Sequence, residues 1–150
     1  MANQINKIVE GLYITNYQSA LNVQNIQFNN IHTIINCTKK NDRVNLNVNY
    51  LQVPIDDPPS FEDIQFVNNN FMKITRYIDN SISSGKNVLV HCVMGSQRSA
   101  TIIALYLMTK YGMGYNDAIG YIKSKRPICF FGKVNYLESL VYVDKIYFNN

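Results

Sequence analysis

From Ile64 onward the apolar positions fall at Val67, Phe71, Ile74, Ile78 and Ile82, at spacings of three, four, three, four and four. Those intervals keep all six on one face of a helix with 3.6 residues per turn. A long amphipathic helix is therefore expected, with Asp63 as its N-terminal cap and a stop near Gly85. Shorter apolar runs behave differently. Leu12-Tyr13-Ile14, Thr33-Ile34-Ile35-Asn36-Cys37, Tyr50 to Val53 and Val88-Leu89-Val90 have the length of strands and lie between polar segments. Pro54 ends the third of them, and Asp56-Asp57-Pro58-Pro59-Ser60 is loop chemistry. Further helices are predicted around Ser19-Ala20-Leu21, over Ser99 to Met108, over Asn116 to Lys125 and over Lys133 to Tyr147, the last two separated by Arg126-Pro127. Lys39 to Asn49 is polar and reads as a surface loop. Strands alternating with helices predict an α/β fold: a short, largely parallel central sheet flanked by helices.

Composition narrows the setting. With 150 residues, 47% hydrophobic and 16% charged, the chain has the size and balance of one folded domain spanning 1–150. No apolar run reaches the roughly 18 residues that a membrane span needs. The net charge of +4 is scattered, without the Lys/Arg block of a nucleic-acid stripe, so nucleic acid is not an expected partner and only a mild preference for anions follows. The opening MANQINKIVE lacks the basic and apolar regions of a secretory signal, so a reducing, cytoplasmic setting is expected. Cys37, Cys92 and Cys129 are odd in number and not at metal-ligand spacing, which argues against a disulfide framework and against zinc. Cys37 and Cys129, each among apolar residues, read as packing, and His32 as structural.

Cys92 differs from the other two cysteines in its neighbours along the chain. Between the predicted strand and helix stands His91-Cys92-Val93-Met94-Gly95-Ser96-Gln97-Arg98-Ser99. A loop this short, closing onto a helix start, turns several backbone N–H groups around one point and adds the positive end of the helix dipole. Gly95 supplies the backbone freedom such a turn needs, and Arg98 can grip two oxygens of a phosphate with its planar fork. A thiol at the mouth of this dianion cradle sits in a positive field, which lowers its pKa and favours the thiolate. His91, beside it, is expected to orient the loop by hydrogen bonding.

HCVMGSQRS resembles the signature loop of the cysteine-dependent protein phosphatases, and the resemblance extends along the chain. LYITNYQSAL is similar to the opening strand and helix of the dual-specificity branch, IHTIINCT to its next strand, YLQVPIDD to the strand before its general-acid loop, and NVLVHC with RSATIIALYLM to its core. LYITNYQ is also similar to the small poxvirus members, and the Asn- and Ile-rich composition suits an A+T-biased viral genome. The resemblance implies a protein tyrosine phosphatase-like fold and in-line attack by Cys92 on phosphorus. It implies that the N–H groups of Val93, Met94, Gly95, Ser96, Gln97 and Arg98, with the Arg98 side chain, bind the phosphate, and that Ser99 assists departure of the thiolate. Asp57 stands at the general-acid position, with Asp56 as its competitor and Asp63 as a more distant one. The implied substrates are proteins carrying phosphotyrosine or phosphoserine/phosphothreonine, with no metal and no organic cofactor.

Rivals within and outside the superfamily remain open: a phosphoinositide or RNA 5′-phosphatase, or a catalytically silent phosphopeptide-binding module. The residues between Cys92 and Arg98 are uncharged, which disfavours inositol phosphates, and Ser99 after the arginine leans toward protein substrates. Asp57 precedes Cys92 by 35 residues, a few more than the family shows. After Arg126-Pro127 the family's Pro-Asn pair is replaced by Ile128-Cys129-Phe130-Phe131-Gly132, so support for the signature loop is expected from elsewhere. Eleven residues precede Leu12, so the dimer built on an exchanged N-terminal helix is not expected.

Overall fold

The computed structural model describes residues 4–148. In chain order its elements are β1 (Asn6–Val9), β2 (Leu12–Thr15), α1 (Tyr17–Ala20), α2 (Val23–Phe28), β3 (Ile31–Asn36), β4 (Asn49–Gln52), α3 (Phe61–Ser83), β5 (Asn87–His91), α4 (Arg98–Tyr111), α5 (Tyr115–Lys125) and α6 (Leu137–Phe148). The sheet order is β1-β2-β5-β3-β4. β2, β5, β3 and β4 run parallel, and β1 folds back antiparallel on β2. The turn between them contains Gly11, whose φ of +84° lies in the region that favours glycine.

Alternation along the strands divides the core in two. Ile34 and Leu89 pack with Ala20, Ile26, Ile31 and Val44 on the side of α1 and α2. Ile35, Val88 and Val90 pack on the other side with Val67, Ile78, Ile103 and Leu140 of the longer helices. α4 is buried without interruption from Ser99 to Met108, and it packs between the sheet and α3, α5 and α6. An all-round apolar helix is what such a central place requires.

Several boundaries differ from the sequence expectation. The long helix is capped by Ser60, not Asp63. The Ser60 hydroxyl accepts from the Asp63 N–H at 3.1 Å and the Asp63 carboxylate accepts from the Ser60 N–H at 3.0 Å, a reciprocal capping box. The last helix starts at Leu137, not Lys133, because the Lys133 carbonyl and the Asn135 N–H are engaged by the Gln97 side chain at 2.7 and 3.0 Å. β1 and α2 are additions to the sequence expectation. Each is half polar and fully buries a single side chain, Ile8 and Ile26 respectively, so neither carries a readable period.

Parallel pairing brings the C-terminal ends of β2, β5, β3 and β4 to one edge of the sheet. The segments that leave those ends, from Asn16, Cys92, Cys37 and Val53, therefore gather there, at the edge where open α/β sheets bind ligands.

Candidate active site

β5 ends at His91 and α4 begins at Arg98, so the chain reverses within Cys92–Gln97. The carbonyls of this turn are held from outside it. That of Val93 accepts from the Tyr17 N–H at 3.0 Å, Met94 from Arg126 Nη2 at 3.3 Å, Gly95 from Arg126 Nε at 2.9 Å and Ser96 from the Phe130 N–H at 2.9 Å. The Gln97 carbonyl accepts from the Thr101 N–H at 2.8 Å, in the first turn of α4. In a trans peptide the N–H points opposite to the carbonyl of the same plane. Anchoring these carbonyls outward therefore turns the N–H groups of Met94, Gly95, Ser96, Gln97 and Arg98 inward. Gly95 has φ +68°, and a Cβ there would stand 2.5 Å from the Thr15 carbonyl oxygen, so only glycine fits.

Cys92 is 2% exposed, with its Sγ 3.1 Å from the Ser99 hydroxyl. Burial opposes ionisation of the thiol. Hydrogen bonds from the Ser99 side chain and backbone and from the Ser96 backbone, together with the Arg98 charge, outweigh it and hold the pKa below the ordinary thiol value. The other two cysteines go the opposite way: burial pushes Cys129 up to about 12 and Cys37 well above the usual range.

Arg98 Nη1 donates to the Ile55 carbonyl at 2.9 Å, which ties the arginine to the segment after β4. Its Nε is buried without a hydrogen-bond acceptor among the described residues, a donor that suits a phosphate oxygen. His91 is buried with Nδ1 3.4 Å from the Cys92 carbonyl oxygen and its ring edge-on to Tyr17 at 5.5 Å. Burial lowers its pKa to about 4, so the ring is neutral at neutral pH.

The three candidate acids have distinct surroundings. Asp63 is 5% exposed and occupied by the capping box, with a further 3.3 Å contact from the Asp56 N–H. The Asp56 carboxylate is paired with Lys39 at 2.7 Å. Asp57 is exposed, and its carboxylate accepts a hydrogen bond from the Asn135 side-chain amide. The backbone leading into it is held at two successive carbonyls: the Tyr136 hydroxyl donates to that of Asp56 and Arg98 to that of Ile55.

The structure thus brings His91, Cys92, the 93–98 backbone, Arg98 and Ser99 into one cradle, with Asp57 on a segment anchored to it. It also adds residues that the sequence does not single out for the site: Tyr17, Arg126, Asn135 and the side chain of Gln97. Nothing local distinguishes them, since a buried arginine before a proline reads like a surface cation.

Comparisons with known proteins identify the family. The model of the dual specificity phosphatase catalytic domain matches residues 12–145. The chain belongs to the dual specificity phosphatase family. The putative tyrosine phosphatase 123R of Invertebrate iridescent virus 6 is 36% identical over 124 residues, covering 83% of this chain and 81% of the relative. Mouse (Mus musculus) dual specificity protein phosphatase 15 is 30% identical over 128 residues, 85% of this chain and 53% of the relative, so the chain spans about half the length of that dual specificity phosphatase. Among solved structures, the crystal structure of DUSP15 superposes with a TM-score of 0.82 at 27% identity, covering 97% of this chain and 88% of that one. The protein tyrosine phosphatase-like fold implied by the sequence resemblance is the fold observed.

Proposed function

We propose that this chain is a protein phosphatase that hydrolyses phosphotyrosine and phosphoserine/phosphothreonine through a cysteinyl-phosphate. The observation that carries this reading is the contrast among its three buried thiols: only Cys92, ringed by the loop's N–H groups, Ser99 and Arg98, is held below the ordinary thiol pKa. The Cys92 thiolate attacks phosphorus in line, forming the S–P bond as the bond to the leaving oxygen breaks. The inward N–H groups and Arg98 stabilise the three equatorial oxygens. Asp57 gives its proton to the leaving oxygen, then takes one from the water that hydrolyses the S–P bond, while the Ser99 hydroxyl stabilises the departing thiolate. Asp57 is preferred to Asp56 as the acid because Asp56 is paired with Lys39. Family membership supports phosphorylated proteins as substrates, and the uncharged residues between Cys92 and Arg98 favour them over inositol phosphates. The three free thiols suit a reducing compartment, the cytoplasm. Among the described residues no helix is long and apolar enough to cross a membrane.

Hydrolysis of p-nitrophenyl phosphate without added metal tests this reading. Wild type should turn over, and Cys92→Ser should lose roughly 10⁴-fold or more while still binding phosphate. Activity retained in Cys92→Ser overturns the nucleophile. A folded wild type that binds phosphate without turnover would make the chain a binding module.

A further inference from the structure

The chain lacks its family's Pro-Asn pair, yet the segment after Arg126-Pro127 still reaches the site by a route of its own. The Gln97 side chain, buried at the end of the cradle, uses both ends of its amide: Nε2 donates to the Lys133 carbonyl at 2.7 Å and Oε1 accepts from the Asn135 N–H at 3.0 Å. This fixes the backbone of 133–135 against the cradle. From that fixed backbone the Asn135 side chain, half-buried, donates through Nδ2 to Asp57 Oδ1. The adjoining Tyr136, wholly buried, donates to the carbonyl of Asp56.

We propose that Asn135 is a positioning residue for the general acid: clamped by Gln97 to the phosphate loop, it holds the Asp57 carboxylate in register with the phosphate that the loop binds. This rests on Asp57 being the acid. The hydrogen bond from an uncharged amide fixes the orientation of one carboxylate oxygen and leaves the other oxygen to carry the proton.

The test is the dependence on the leaving group of kcat/KM, which reports the step that forms the cysteinyl-phosphate and not its hydrolysis, measured with phenyl phosphate and 2,4-dinitrophenyl phosphate. The poor leaving group needs a proton in the transition state and the good one does not. Asp57→Asn should lose about 10²-fold or more on phenyl phosphate and little on the dinitrophenyl ester. Asn135→Ala and the near-isosteric, uncharged Asn135→Leu should show the same selectivity at about tenfold, a fraction of that contribution, with nearly unchanged phosphate inhibition. In the Asp57→Asn background, Asn135→Ala should add almost nothing, because two residues acting through one proton transfer are not additive. Equal losses of the Asn135 variants on both esters, or full additivity with Asp57→Asn, would overturn the positioning role while leaving Asp57 as the acid. A uniform loss in Asp57→Asn would overturn the acid assignment and this proposal with it.

Discussion

His91 immediately precedes the cysteine on which the proposed chemistry turns, and its environment makes a claim about stability. Burial lowers its pKa from 6.5 to about 4. In the unfolded chain the ring takes up a proton below about pH 6.5, whereas in the fold it stays neutral down to about pH 4. The unfolded state thus binds more protons across that window, so the contribution of His91 is fully present above pH 6.5 and is lost as the pH falls toward 4. The loss amounts to up to about 3 kcal/mol, from the interval between 6.5 and about 4 at 1.36 kcal/mol per pH unit. Denaturant unfolding of wild type and His91→Asn between pH 4 and 7.5 should show a shallower acid slope in the variant. Carboxylates that titrate in the same range are common to both proteins and cancel in the difference. Parallel slopes would mean that the ring accepts its proton inside the fold.

At the scale of elements, the loop between β5 and α4 is shaped by what surrounds it. Arg126, 3% exposed, stands at the end of α5 and donates to the carbonyls of Met94 and Gly95, and its Nη1 reaches the Gln4 carbonyl at 2.9 Å and Asn6 Oδ1 at 2.6 Å. One guanidinium thereby ties α5 and β1 to the cradle. A lysine has the charge but not the fork, so Arg126→Lys should free at least one of the two peptide planes to turn its N–H away from the bound anion. Competitive inhibition by inorganic phosphate is expected to weaken about tenfold, the worth of one charge-assisted hydrogen bond. An unchanged inhibition constant would show that the loop holds its shape without the fork. This arrangement also explains what is legible in the sequence. The period of Ile64 to Ile82 predicts α3, the short apolar runs predict β2 to β5, and the short interval from Cys92 to Arg98 between a predicted strand and a predicted helix predicts the cradle, because each pattern is local. Arg126 acts on Gly95 across 31 residues and Asn135 on Asp57 across 78. No periodicity spans such distances, and the departure from the Pro-Asn pattern signals a different support without saying which residue supplies it. Asp63 departs from expectation by a finer margin: Ser60 and Asp63 both suit a cap, and the reciprocal bond assigns the outer position to serine.

At the scale of the whole molecule, the cradle exists only when the ends of β2, β5, β3 and β4 are assembled, so an oxyanion that binds there binds the folded chain alone. Its binding energy then appears as stability, RT ln(1 + [L]/Kd), about 2.7 kcal/mol when the anion is at a hundred times its dissociation constant. For a domain of this size each kcal/mol is worth about 2–4 °C in Tm, so saturating inorganic phosphate should raise Tm by roughly 5–10 °C. The net charge of +4 gives any anion some stabilising effect by relieving self-repulsion. Sodium chloride at matched ionic strength supplies that effect without a tetrahedral dianion, and is expected to shift Tm far less. Cys92→Ser should keep the phosphate shift, since the N–H groups and Arg98 remain. Arg98→Met should lose most of it, because a side chain whose buried Nε has no acceptor among the described residues would be gone. If chloride equals phosphate, or if Arg98→Met retains the full shift, the stabilisation comes from surface charge and the cradle holds no phosphate at the concentration used.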